Sequence, residues 1–220
     1  MTEHRRPFVT NHMVRKTGRQ IKEKMRDLDP WDHKFITATY ILATFQGHKW
    51  AGKRVFPQHP NFLSPGLTLV RSSGRLPTKA FDLSEAKRRS FKHNEAMQRT
   101  IELAEAFFNL QGVSGFESAL KRFRNDDSLE PEMAALLVAK MLVVSGRMFR
   151  FVGPIGKPGK DYDLEVTYNG ARIACEVKCK RESTSINYTA VLDTLKDSAE
   201  KQLPSDMPAV FCVYFPPELD

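Results

Sequence analysis

"KDYDLEVTYNGARIACEVKCK", residues 160–180, places two alternating runs on either side of Asn169-Gly170. That dipeptide is the strongest short hairpin signal, because the two-residue turn it forms needs positive φ at both central positions. With this turn Tyr168 faces Ala171. Two-residue steps away from the turn then put Asp163 opposite Glu176 and Asp161 opposite Lys178. Directly opposed residues share a face, with Cβ atoms about 5 Å apart. Leu164, Val166, Ile173, Cys175 and Val177 fall on the other face and are expected in the core.

Two carboxylates opposed across a ladder repel each other. A hard divalent cation between them removes the penalty, and oxygen ligands suit Mg²⁺ or Mn²⁺. No histidine follows His93, so this half of the chain offers no imidazole for acid–base work. A metal-activated water is then the economical nucleophile, with the Lys178 ammonium one step along the same face to steady it or a phosphate. The bland reading is a solvated outer face on which Asp163, Glu165, Glu176, Lys178 and Lys180 are merely wet.

The flanks give the hairpin a setting. "SLEPEMAALLVAKMLVVSG", from Ser128, reads as a helix with Pro131 in its first turn and Gly146 at its close. "RMFRFVG" reads as a short strand and "PIGKPGK" as a loop. After the hairpin, "INYTAVLDTLKDSAEKQL" is an amphipathic helix carrying Val191, Leu195 and Leu203, ended by Pro204. "PAVFCVYF" is a continuous apolar run suited to a buried strand. From residue 128 the order is helix, strand, strand, strand, helix, strand, an α/β layer.

The first half reads as mainly helical. Residues 1–30 form a polar, basic arm with one short helix. Residues 31–50 read as a helix stopped by Gly47, and 51–80 as loop. The next helix opens with Asp82 and Glu85 at capping-box spacing and closes at Gly112, with Phe91, Met97, Ile101, Ala104 and Phe108 on its apolar face. "SGFESALKRF" repeats the cap with Ser114 and Glu117. The organisation is an arm over 1–30, a helical region over 31–127 and the α/β core over 128–220.

Composition agrees with a globular chain: 220 residues, 41% hydrophobic and 27% charged. No apolar run is long enough to span a bilayer, and "MTEHRRPFVT" lacks a secretory core, so a cytoplasmic protein without membrane contact is expected. Cys175, Cys179 and Cys212 read as buried free thiols. The net charge of +8 is uneven. Up to Glu95 there are nineteen Lys/Arg against eight Asp/Glu, and thereafter fifteen against eighteen. Such a front half either meets a polyanion or serves as a solubilising arm.

The ordered set from residue 128 resembles the PD-(D/E)XK nuclease superfamily, the restriction-endonuclease-like fold. Asp163 matches the acid of the second strand, and Glu176-Val177-Lys178 matches the Glu-x-Lys of the third. Glu132 matches the acid on the preceding helix, with Glu130 as a substitute. Tyr162 stands where many members have Pro. The resemblance implies a restriction-endonuclease-like core, an α-β-β-β-α-β mixed sheet with flanking helices. It implies a Mg²⁺-dependent endodeoxyribonuclease, with Mn²⁺ as substitute, that leaves a 5′-phosphate. Asp163, Glu176 and the Val177 carbonyl would ligate the metal, Glu132 would place a second ion or a bound water, and Lys178 would orient the attacking water. Gln202 resembles a polar residue directed at the site, or is a solvated helix-end glutamine. DNA would be held by the basic front half, and a homodimer or a partner subunit would supply further recognition. The alternative is an inactive nuclease fold serving as a nucleic-acid-binding or protein-interaction module.

Overall fold

A computed structural model describes residues 8–26, 30–55, 63, 86–124, 129–153, 156–157, 159–180 and 188–215, with the side chains of 86–94 left out. The chain divides into two compact units, Met1–Phe108 and Asn109–Asp220.

In the first unit the basic arm contains a full helix, α1 (Asn11–Lys24). Thr10 caps it, its hydroxyl oxygen accepting the Met13 N–H at 3.2 Å. α1 packs on α2 (Pro30–Gln46), where Phe35, Ala38, Leu42 and Phe45 are buried at helical spacing. Gly47 stops α2 as its sequence predicts, at φ 93, yet no loop follows. Its N–H bonds to the Ala43 carbonyl while its own carbonyl accepts from Ala51, so α3 (His48–Val55) starts at once. Residues 51–55, expected as loop, are therefore helical.

The long helix α4 (Ala86–Leu110) is present, but its inward face differs from the expected one. Met97, Thr100, Leu103, Ala104 and Phe107 are buried, whereas Ile101 and Phe108 are only half-buried. Thr100 decides the phase: its hydroxyl donates to the Leu63 carbonyl at 2.9 Å, which makes a polar residue a core residue. Phe107 meets Phe45 edge to face at 5.5 Å. Asp82, Glu85 and the Phe91 side chain lie outside the described residues.

The second unit runs α5 (Phe116–Arg122), α6 (Leu129–Val144), β1 (Met148–Phe151), β2 (Leu164–Tyr168), β3 (Ala171–Cys179), α7 (Tyr188–Lys201) and β4 (Ala209–Tyr214). From α6 onward this is the α-β-β-β-α-β order read from sequence. The architecture is α/β, with seven helices among the described residues and an open sheet ordered β1-β2-β3-β4. The first three strands are antiparallel, and β4 is parallel to β3 after the α7 crossover. Asn169 and Gly170 have φ 49 and 79, and the pairs run from Tyr168↔Ala171 to Leu164↔Cys175, the expected register.

Three expectations need correction. The Ser114/Glu117 cap does not form: α5 is capped by Gly115 at φ 82, and the Ser114 carbonyl accepts the Phe151 N–H at 2.9 Å. The segment before α5 is thus used to hold the end of β1. β4 is not buried but is the sheet edge, partly exposed along its length. A continuous apolar run fits two covered faces, and here one side of the strand also lacks a neighbour in the sheet. Asp161 does not face Lys178, because β2 begins at Leu164 and Asp161 turns away to accept the Gly156 N–H at 3.0 Å.

Gly115 makes a testable demand. A Cβ there would lie 2.5 Å from the Phe151 carbonyl oxygen, in a backbone conformation that L residues rarely adopt. Gly115→Ala is expected to cost about 2–4 kcal/mol in urea unfolding. Gly112→Ala, where nothing lies within 4 Å of the added carbon, is expected to change stability by less than about 1 kcal/mol.

Candidate active site

The site lies within the second unit, where β2 departs from β3. Asp163 is the residue before β2, and it is held at both ends. Its carbonyl accepts the Val152 N–H at 2.9 Å, and its carboxylate accepts the Val177 N–H at 2.8 Å. Opposite it, Glu176 is buried at 3% exposure in the middle of β3. One carboxylate oxygen, Oε1, lies 2.6 Å from the Lys178 ammonium. The other, Oε2, has no hydrogen-bond partner among the described residues.

Burial pushes the Glu176 pKa up to about 7, and the Asp163 charge adds to the rise while Lys178 opposes it. Asp163 is raised too, by burial first, against the opposing Val177 N–H and the charges of Arg122 and Lys178. The Asp163 charge acts on Glu176, so the two acids do not titrate independently.

Lys178 is fixed from a second side by Gln202, whose side-chain oxygen lies 2.5 Å from the ammonium. Gln202 follows the last residue of α7, so the crossover helix delivers it to the site. Lys180 is tied down by the Thr194 hydroxyl at 2.8 Å and the Ala190 carbonyl at 3.3 Å. These bonds tie Lys178 and, just past β3, Lys180 to α7 and the residue that follows it.

Glu132, on the first turn of α6, feels the Asp163 charge, but its carboxylate is taken by Arg122. The Arg122 Nε lies 2.9 and 3.2 Å from its two oxygens. Burial still leaves the Glu132 pKa raised. Arg122 is the residue that sequence reading missed. It ends α5, and the docking of α5 on β1 brings it here. Among the described residues, no three His, Cys, Asp or Glu side chains gather closely enough to hold a metal ion.

The bland reading of a wet outer face does not survive for Glu165. It is 7% exposed and forked by Arg150 at 3.0 Å through both carboxylate oxygens. Tyr162 donates to it at 2.9 Å, and Arg172 lies 3.6 Å away. The Arg150 hydrogen bonds hold its pKa below the usual carboxylate range. Of the three free thiols, Cys175 is buried, while Cys179 and Cys212 are half-buried.

No protein-family model matches the sequence, and neither any curated protein nor any solved structure matches it.

The acid pair predicts a pH signature. Glu176 is harder to ionise folded than unfolded, so its contribution to stability is complete below about pH 4.5 and is lost as pH rises through about 7. In metal-free buffer, wild type should lose stability relative to Glu176→Gln across that window, by at most about 3 kcal/mol. Urea denaturation at pH 4.5, 6 and 8 measures it; a constant difference contradicts the buried acid pair.

Proposed function

We propose that the second unit is a metal-dependent phosphodiesterase acting on DNA, built on a restriction-endonuclease-like core. The observation that carries this reading is the half-buried Asp163 carboxylate, bonded to the Val177 N–H, beside the buried Glu176 with the Lys178 ammonium against it. The unpartnered Glu176 Oε2 beside a second raised carboxylate suits a hard divalent cation. Asp163, Glu176 and the Val177 carbonyl would hold Mg²⁺, or Mn²⁺ in its place. Glu132, engaged by Arg122, would stand outside that set and place a bound water. The bound ion supplies polarisation of water and of a phosphate oxygen.

The chain's own groups do the rest. Lys178, braced by Gln202, directs the attacking water in line with the bond to be broken. Oxygen from that water joins phosphorus as the 3′ oxygen leaves, giving a 5′-phosphate and a 3′-hydroxyl. Arg122 screens the Asp163 and Glu132 charges from each other, so the anionic substrate meets a less repulsive site.

One observation favours the alternative of a non-catalytic nuclease fold that binds nucleic acid or protein. Lys178 already neutralises Glu176, and Arg122 already neutralises Glu132, so the network is compensated internally.

Cleavage separates the two readings. With Mg²⁺, supercoiled plasmid should be nicked or linearised, and Asp163→Asn or Lys178→Met should lower the rate by at least about a hundredfold. Equal cutting by both variants refutes the assignment, and a folded wild type that never cuts favours the alternative. Mn²⁺ should also raise the melting temperature, as any ligand of the native state does. Glu176→Gln should abolish that rise; an equal rise in both places the ion elsewhere.

A further inference from the structure

We infer that the outer side of α1 is a docking ridge for the phosphate backbone of double-stranded nucleic acid, a second site distinct from the Asp163/Glu176 pair. α1 uses only one side to pack. Val14, Thr17, Gly18 and Ile21 are half-buried, and a Cβ on Gly18 would lie 3.9 Å from the Thr37 hydroxyl of α2. At about 100° per residue, Arg15, Lys16, Arg19 and Lys22 then fall within one outward arc of about 120°, which also holds Glu23. All four are exposed, and none forms an ion pair with a described residue.

An ordinary solvated helix mixes its signs, as α7 does with Lys196 and Lys201 beside Asp193, Asp197 and Glu200. α1 carries one acid, Glu23, against six cations counting Arg15, Lys16, Arg19, Lys22, Lys24 and His12 if protonated. Four cations over two turns, about 11 Å of helix, leave this arc strongly positive with Glu23 as its one acid. Duplex nucleic acid carries a charge every 1.7 Å or so and pays back such a ridge by counterion release. The side chains are long and spread along the helix, which suits backbone phosphates rather than one small anion. Preferring nucleic acid to another polyanion rests on the phosphodiester reading of the acid site.

The test is anisotropy of a labelled duplex of about twenty base pairs with the full chain in EDTA, where no cleavage occurs, from 50 to 200 mM salt. With about four phosphate contacts, affinity should fall roughly a hundredfold over that range. Arg15→Gln/Arg19→Gln/Lys22→Gln should weaken binding at least tenfold at 50 mM and flatten the salt slope by two to three units, roughly 0.9 per contact. Its melting temperature should match wild type. If the triple variant does not fold, Lys16→Glu and Lys22→Glu singly should each flatten the slope by about one unit or more. Wild-type affinity and slope in these variants overturn the ridge. Tighter binding to phosphatidylserine vesicles than to the duplex, lost in the triple variant, also overturns it in favour of a membrane surface. The outcomes are independent of the acid site: failed cleavage with a ridge-dependent slope leaves the ridge standing, and Mg²⁺-dependent cleavage with no ridge effect leaves the acid site standing.

Discussion

Asn169 and Gly170 both hold positive φ, and this two-residue reversal fixes which residue of β2 lies beside which residue of β3. Strand side chains alternate with a period of two, so a slip of one residue would exchange the faces. Leu164 would then point where Asp163 points now, and the Asp163 carboxylate would be driven toward the apolar side of Cys175 and Val177. Asp163 adds a second lock by accepting the Val177 N–H from just outside β2. The turn and that bond together bring the two acids side by side.

Bringing them together is costly, and the surroundings are arranged to limit the cost. Burial raises both pKa values, and the Asp163 charge adds to the rise on Glu176. Lys178 answers on Glu176, and Arg122 answers on Glu132 and, at longer range, on Asp163. These cations come from β3 and from α5, and Gln202 after α7 holds one of them in place. Each flanking helix therefore contributes one polar group to the same small region. Removing one member would strand a buried charge, which costs far more than the pair contributes.

Much of this was legible in the sequence because it rests on local chemistry. Asn-Gly needs no tertiary context to form its turn, and strand alternation carried the register to Asp163 and Glu176. Gly47, Pro131 and Gly146 marked helix ends by the same local logic. The failures have a shared cause: the chain used a residue for a distant partner. Thr100 entered the core because Leu63 offers a carbonyl. Ser114 does not cap α5 because the chain turns at Gly115, at φ 82, against the end of β1. Arg122 joined the site because α5 docks on β1. β4 looked buried from composition, and only strand order reveals it as an edge.

The α7 crossover has a consequence for the order in which the chain is made. The acids and Lys178 emerge from the ribosome first, Gln202 follows, and β4, which must pair with β3, comes last. A nascent chain therefore carries the acid pair and Lys178 before β4 has paired with β3 and before Gln202 can brace the ammonium.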